Sequence, residues 1–477
     1  MSNEKDSGHA AHSKEADTQA GLPGTFPRPL KVTMLGAGSF FMGHLLGDIL
    51  DMRGLPRLEF ALVDIDARRL DVAVRLAKRM VTDAGLDDRV TVTASTDRLK
   101  VMGGSHYLIS CVEVSGTECV RYDNDIPAKY GVDQCIGDTI GPGGLFKGLR
   151  TIPVWLDILR DAERLCPDAL VLNYTNPMNM MCLAAGRVSR MQVIGLCHSV
   201  QATSHLLARY AGVPYEELDW ECAGINHLAW FTRLRHKGRD LYPRLKKQFA
   251  AELAAGRVQD DDPETWDLVR KDMCLHFGAF ITESSGHLSE YLPYYRKRAD
   301  LLKRYCTVRY GGESGFYAAN WPLWRKKSDA DRLALLRRRE RLQWKRTWEY
   351  ASWIIEAREK NVPVRVHGNV MNSHRGGGPL IANLPADGCV EVACMIDANG
   401  INPTVYGKLP PQMAAICDSN MRMFDLGATA AIERSKEAAA HALMLDPLTA
   451  AVCSPAEIVR MTEELFRAER KYLPGYK

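Results

Sequence analysis

The chain has 477 residues, with 62 Lys+Arg against 58 Asp+Glu and a formal net charge of +4. Acids and bases are interspersed along it, whereas a protein that binds nucleic acid by releasing counterions needs a concentrated basic face, so no polyanion partner is expected. At 46% hydrophobic and 25% charged residues, the chain is globular rather than disordered, and long enough for two or three domains.

Residues 1–29 are polar and rich in Ala, Ser, Gly and charge, and they close on Pro27 and Pro29. They read as a flexible tail in which His9 and His12 are solvated rather than metal-binding. The tail has no apolar core for a signal peptide, and no run reaches the ~18–20 apolar residues that span a bilayer. The 13 cysteines are odd in number, contain no Cys-x-x-Cys pair and are scattered from Cys111 to Cys453, which fits a reduced compartment better than a disulfide framework. A soluble, cytoplasmic protein without membrane contact is the expectation.

From Lys31, short apolar runs alternate with amphipathic stretches. KVTMLGAG precedes a predicted helix over Phe40–Met52, and LEFALVDID precedes one over Ala67–Ala84. RVTVTAS and HYLISCVEV follow, then helices near Val120–Tyr130 and over Leu145–Leu165, then DALVLNYTN and MQVIGLCHS. Six strands separated by helices imply parallel pairing with crossover connections, that is, an α/β doubly wound Rossmann domain over residues 30–197. Beyond it the pattern loosens. Strand-like runs at Leu218–Leu234, Val364–Val370 and Cys389–Ile396, with helices at Asp329–Glu359, around Pro411–Leu443 and at Ser454–Tyr472, predict a mixed α+β domain over 198–477. The basic run Arg337–Arg341 reads as the wet face of a long helix.

Gly36-Ala37-Gly38-Ser39 follows a strand and opens a helix, where a pyrophosphate can sit on exposed N–H groups. The third glycine of the dinucleotide fingerprint is missing, since Phe41 stands there. Asp64, ending the second strand, stands where a carboxylate accepts both hydroxyls of an adenosine ribose; its competing role is a helix N-cap before Ala67. NAD is favoured over NADP because a 2′-phosphate would meet that carboxylate, although Arg68 and Arg69 are close in sequence.

Four further segments carry polar residues that a strand or loop does not need: Gly137–Gly144, Asn173–Pro177, Cys197–Val200 and Gly224–His227. The second and third directly follow the last two strands of the sheet, at the edge where open α/β folds bind ligands. Cys197 and His227 are thirty positions apart, too far for a local chelate, yet a thiolate and a neutral imidazole suit a divalent transition metal with open positions. Composition alone favours a buried thiol and a core histidine instead.

GAGS, GDTIGPGGLFKGLRTIPV, NYTNPMN, GLCHSVQ, AGINHLAWF, TESSGHLSEYLPYY and NLPADGCVEVACMID, in this order from about Lys31 to about Tyr472, resemble family 4 glycoside hydrolases, most closely their α-galactosidase branch. That family is NAD-dependent and departs from the two-carboxylate rule of glycosidases. The resemblance implies a lactate/malate dehydrogenase-like fold, bound NAD, a divalent metal such as Mn²⁺ held by Cys197 and His227, and a homo-oligomer, dimer or tetramer. It also implies hydrolysis of small terminal α-galactosides by oxidation at C3, elimination and water addition.

On the same ground Tyr291 matches the base for the C2 proton, and a nearby cation or metal would lower its pKa. His198 and Asp138 are the two candidates for protonating the leaving oxygen. Asn176 matches a sugar-contacting residue, Asn226 is placed with it at the substrate, and Asn173, with Gly36, Gly38, Ser39 and Asp64, at the cofactor. Glu113 either lines the nicotinamide side or faces water. The rival readings are the same chemistry on an α-glucoside or α-uronide, and a plain NAD-dependent sugar dehydrogenase.

Overall fold

The computed structural model describes residues 21–256 and 262–477; His9 and His12 lie outside them. Strands β1 (Leu30–Leu35), β2 (Leu58–Val63), β3 (Val90–Ser95), β4 (Tyr107–Ser110), β5 (Leu170–Asn173) and β6 (Gln192–Leu196) pair in parallel in the order 3-2-1-4-5-6. The inner strands β1, β2, β4 and β5 are short, almost wholly apolar and buried, with every residue of β4 and β5 buried, whereas the edge strand β3 is polar and half-exposed. The order reverses between β1 and β4, which opens the crevice in which such sheets take ligands. Gly36 stands at that crevice with φ 81°, and a Cβ there would lie 2.3 Å from Cys111 O, so only glycine fits.

The sheet does not stop at β6. The strands β7 (Leu218–Ile225), β8 (Leu228–His236), β9 (Arg239–Asp240), β10 (Phe280–Ile281), β11 (Val364–Met371), β12 (Cys389–Asp397) and β13 (Gly400–Pro403) extend it. β11 runs antiparallel to β6, pairing Asn369 with Gly195, and β12, β7, β8 and β10 follow in that order. The predicted boundary after Cys197 therefore falls inside one continuous sheet, with two strands between the one that carries Cys197 and the hairpin that carries His227. Large side chains such as Trp155, Trp230 and Tyr107 are fully buried against it; each such residue contributes about 1.5–3 kcal/mol of burial free energy.

Three predicted elements differ. Leu218–Leu234 is a hairpin, turned through Asn226 and His227 between the paired residues Ile225 and Leu228. Asp329–Glu359 is not one helix: helices span Phe316–Arg337 and Tyr350–Lys360, and the chain between them is extended. That segment is pinned from outside, with Leu342 N donating to Asp83, Trp344 to Asp51, and Thr347 N to Asp48. These tertiary bonds, and the mutual repulsion of Arg337, Arg338 and Arg339, outweigh helix propensity. Around Pro411–Leu443 the helix breaks at Arg434 (φ 56°) and restarts behind a Ser435 cap. The last helix is Pro455–Ala468, opened by a Ser454/Glu457 capping box.

Residues 21–29, assigned by composition to the tail, lie against the helix Tyr350–Lys360: Lys360 Nζ donates to Leu22 O at 2.9 Å and Arg28 Nε to Glu359 at 3.0 Å. All 13 cysteines are free thiols. Among the described residues no helix is long and apolar enough to cross a membrane.

Candidate active site

The glycine-rich loop and Asp64 sit together at the carboxyl ends of β1 and β2. Asp64 Oδ2 accepts from Gly38 N at 2.6 Å, and a Cβ on Gly38 would stand 2.6 Å from that oxygen and from Arg69 Nε. The helix at Ala67 is capped by Asp66. This leaves Asp64 at the loop, in the place where a ribose-binding carboxylate belongs. The loop's amides are not free as the sequence suggested: Gly36 N and Ala37 N donate to Val63 O, and Ser39 N donates to Gly36 O.

β5 ends at Asn173, whose amide is used within its own turn: Nδ2 donates to Thr175 O at 3.0 Å and Oδ1 accepts from Thr175 N at 3.2 Å. These bonds shape the loop that presents Asn176. Asn176 Nδ2 donates to Asp138 Oδ2 at 3.3 Å, and the same carboxylate takes Thr139 Oγ1 at 2.7 Å and Lys147 Nζ at 3.3 Å. Burial works against the Asp138 charge, but Lys147, His287 and His227 outweigh it and hold the carboxyl below its usual range. Asp138 is thus an ionised acceptor.

β6 delivers Cys197, the β7–β8 turn delivers His227 (φ 65°), and the residue two past β10 is Glu283 (φ 72°). Left-handed backbone at non-glycine residues is strained and persists where the surroundings enforce it, often at functional sites. Cys197 Sγ stands 3.5 Å from His227 Nε2, His227 Nε2 stands 3.9 Å from Glu283 Oε2, and one ligand atom from each residue lies within 4.8 Å of the others. Two ligands at about 2.3 and 2.1 Å from one tetrahedral ion are themselves about 3.6 Å apart, so the thiol–imidazole spacing fits one shared ion. Burial pushes His227 down to about 4, leaving a neutral imidazole with a free lone pair, while His287, His227 and His198 keep Glu283 ionised against burial. Burial, with Glu283 and Glu391 beside it, pushes the Cys197 thiol up, so a cation is needed to ionise it.

Tyr291 follows the short helix Ser285–Glu290, and its hydroxyl lies 3.5 Å from His227 Nδ1, on the other side of the ring from the ligand set. Burial, then Asp138, Glu290 and Glu283, raise its pKa, so any lowering has to come from a cation bound beside it. The carboxylate of Glu290 accepts from Ile136 N at 2.6 Å and Gly137 N at 3.1 Å, which locks the Asp138 loop to the segment carrying Tyr291. His198 Nε2 stands 3.5 Å from Glu349 Oε1, and burial lowers its pKa.

Asn226 is fully buried in the turn before His227, with the Glu391 carboxylate beside its amide. Glu113 lines a small cleft with Asp138 and Lys147, where it meets Lys147 at 3.9 Å and Arg325 at 3.7 Å.

The fold thus gathers Cys197, His227, Tyr291, Asp138, Asn176 and His198 into one region, and Gly36, Gly38, Ser39 and Asp64 into another. Sequence reasoning missed Glu283, Lys147 and Glu290. Glu283 and Glu290 stand in the TESSGHLSEYLPYY stretch that gave Tyr291, and two carboxylates flanking a histidine were a usable signal.

Comparison with known proteins agrees with this geometry. The profile described as "Family 4 glycosyl hydrolase" matches residues 31–213, and that of the "Family 4 glycosyl hydrolase C-terminal domain" matches residues 222–449. The chain is 37% identical over 465 residues to the alpha-galactosidase of Bacillus subtilis (strain 168), covering 94% of this chain and 100% of that one. It is 38% identical over 456 residues to the alpha-galactosidase of Rhizobium meliloti (strain 1021), covering 94% and 89%. A solved 6-phospho-alpha-glucosidase from gut microorganisms, in complex with NAD and Mn²⁺, superposes with a TM-score of 0.76 at 20% identity over 94% of this chain and 100% of that one. On profile matches that together span most of its length, the chain belongs to the family 4 glycosyl hydrolases.

Proposed function

We propose that the chain is an NAD- and divalent-metal-dependent α-galactosidase that loosens the glycosidic bond through transient oxidation of the sugar at C3. The observation that carries this is the Cys197–His227–Glu283 cluster with Tyr291 on the second ring nitrogen of His227, an arrangement a two-carboxylate glycosidase does not need. When bound, NAD⁺ supplies a hydride acceptor and the divalent ion, taken to be Mn²⁺, a Lewis acid for the C2 and C3 oxygens.

The protein's own groups do the rest. Tyr291 Oη takes the C2 proton, and its raised pKa suits a base that becomes effective only once a cation fills the neighbouring site. Asp138, already ionised and ringed by Lys147, Thr139 and Asn176, orients hydroxyls and does not give up a proton. His198, paired with Glu349, then protonates the leaving oxygen. Asn176 reaches the sugar from the edge of β5. Lys147 spends its charge on Asp138 and Glu113, which favours a neutral sugar over a uronide.

The unpaired thiols support a cytoplasmic location, and the homo-oligomeric state is carried over from the family resemblance. The test is a panel of nitrophenyl α-glycosides assayed with and without NAD⁺ and Mn²⁺. Hydrolysis of the α-galactoside that requires both supports the proposal. Activity independent of NAD⁺, or stoichiometric accumulation of NADH, overturns it.

A further inference from the structure

The loop that should receive the cofactor's diphosphate has little to offer it from its own backbone. Gly36 N, Ala37 N, Gly38 N and Ser39 N all have protein acceptors, and Phe41 N meets Ser39 Oγ at 3.3 Å. A dianion placed there needs positive charge from elsewhere.

Three arginines supply it, and two come from far along the chain. Arg69 Nη2 donates to Gly38 O, and Arg332 Nη1 to Ser39 O at 3.4 Å. Arg325, on the same helix as Arg332 (Phe316–Arg337), reaches Glu113 at 3.7 Å, beyond β4. Arg69 stands close enough to Asp64, Arg325 and Arg332 to feel the charge of each. Each of the three arginines has an Nε that is buried and without a hydrogen-bond partner, and the Arg332 side chain is only 7% exposed.

Buried, unpaired guanidinium donors are costly unless something else completes them. Burial and the adjacent Arg325 and Arg332 depress the Arg69 guanidinium, a sign that like charges are crowded here. Asp329 bridges Arg69 (3.0 Å) and Arg332, one carboxylate for two cations.

We propose that Arg69, Arg325 and Arg332 form the diphosphate clamp of the dinucleotide site, so that the helix Phe316–Arg337 closes over the glycine-rich loop and holds the cofactor's anionic bridge. This rests on the NAD reading above and adds to it the residues that bind the bridge. The planar forks of arginine suit phosphate oxygens, which a single lysine contacts only as a point charge.

The test is calorimetric binding of NAD⁺, ADP, adenosine and inorganic pyrophosphate to the full chain and to Arg332→Ala, Arg325→Ala and Arg332→Lys, at low and high salt, with unfolding curves as a check on folding. Losing one charged hydrogen-bond partner is expected to weaken NAD⁺ and ADP about tenfold or more while leaving adenosine within about twofold. Lysine at 332 is expected to restore part of the loss, and both alanine variants to flatten the salt dependence. Arg325→Ala, at a more exposed position, keeps the test valid if Arg332→Ala fails to fold.

Equal weakening of adenosine and ADP, or unchanged NAD⁺ binding in both alanine variants, overturns the clamp and leaves the NAD reading standing. The same calorimetry is run with NADP⁺ and with Arg69→Ala; a wild-type preference for NADP⁺ that Arg69→Ala abolishes puts the arginine at a 2′-phosphate and also overturns the clamp. Pyrophosphate binding without any NAD⁺ or ADP binding overturns the cofactor reading itself.

Discussion

Cys197 Sγ lies 3.5 Å from His227 Nε2, although the first directly follows the last parallel strand and the second turns an antiparallel hairpin that two other strands, β11 and β12, separate from it in the sheet. At about 4.8 Å per step, the three steps from β6 through β11 and β12 to β7 span about 14 Å, so the residues beyond the strand ends, not the strand spacing, bring the thiol and the imidazole together.

Cys197→Ala and His227→Ala are each expected to abolish tight Mn²⁺ binding, and Glu283→Gln to weaken it about 10- to 100-fold, as measured by electron paramagnetic resonance of free Mn²⁺. Chelation is expected to stop turnover, and added Mn²⁺ to restore it. Glu283→Gln with unaltered affinity would remove the carboxylate from the ligand set.

Tyr291→Phe deletes one oxygen and little volume. It is expected to lower kcat by about 10²–10⁴ through loss of the base, with Mn²⁺ and NAD⁺ affinities unchanged. A variant that keeps wild-type kcat contradicts the assignment.

His198 and Asp138 are separated by their dependence on the leaving group. A nitrophenolate departs without protonation, so His198→Ala is expected to be nearly as active as wild type on nitrophenyl galactoside yet about 10²-fold slower on an alkyl galactoside or raffinose-type sugar. Asp138→Asn is expected to impair both, because an orienting carboxylate serves every substrate. The opposite pattern would exchange the two roles.

Glu391 is fully buried between β11 and β7, accepts from Asn369 Nδ2 at 3.3 Å, and is pushed by burial from 4.5 up to about 8. The folded protein holds this proton more tightly than the unfolded chain does. The stabilisation it gives is therefore complete below pH 4.5 and is lost as pH rises through about 8, in total on the order of 5 kcal/mol. Glu391→Gln, which mimics the protonated acid, is expected to be less sensitive to this rise when urea unfolding at pH 5 and pH 9 is compared. An identical pH slope in wild type and variant would show that Glu391 does not titrate in this range.

Much of this was legible in the sequence where the signal is local. Alternating apolar runs set the six parallel strands, and Gly36, Gly38 and Asp64 fell where strand ends place them. What failed was non-local. The chain after Arg337 has the periodicity of a helix, but Asp83, Asp51 and Asp48, more than 250 positions earlier, pull it into an extended path. Arg332 meets Ser39 across 293 positions, a contact no local pattern encodes. Glu283 shares a motif with Tyr291, but its role depends on β10 pairing with β8 and bringing it to His227.

The central claim is that the bond is loosened by making the hydrogen at C2 acidic and removing it. Hydrolysis of an α-galactoside deuterated at C2, run in ordinary water and followed by NMR of the released sugar, tests this directly. The account expects galactose that carries protium at C2, with the exchange lost in Tyr291→Phe. Galactose that retains all of its deuterium would contradict it.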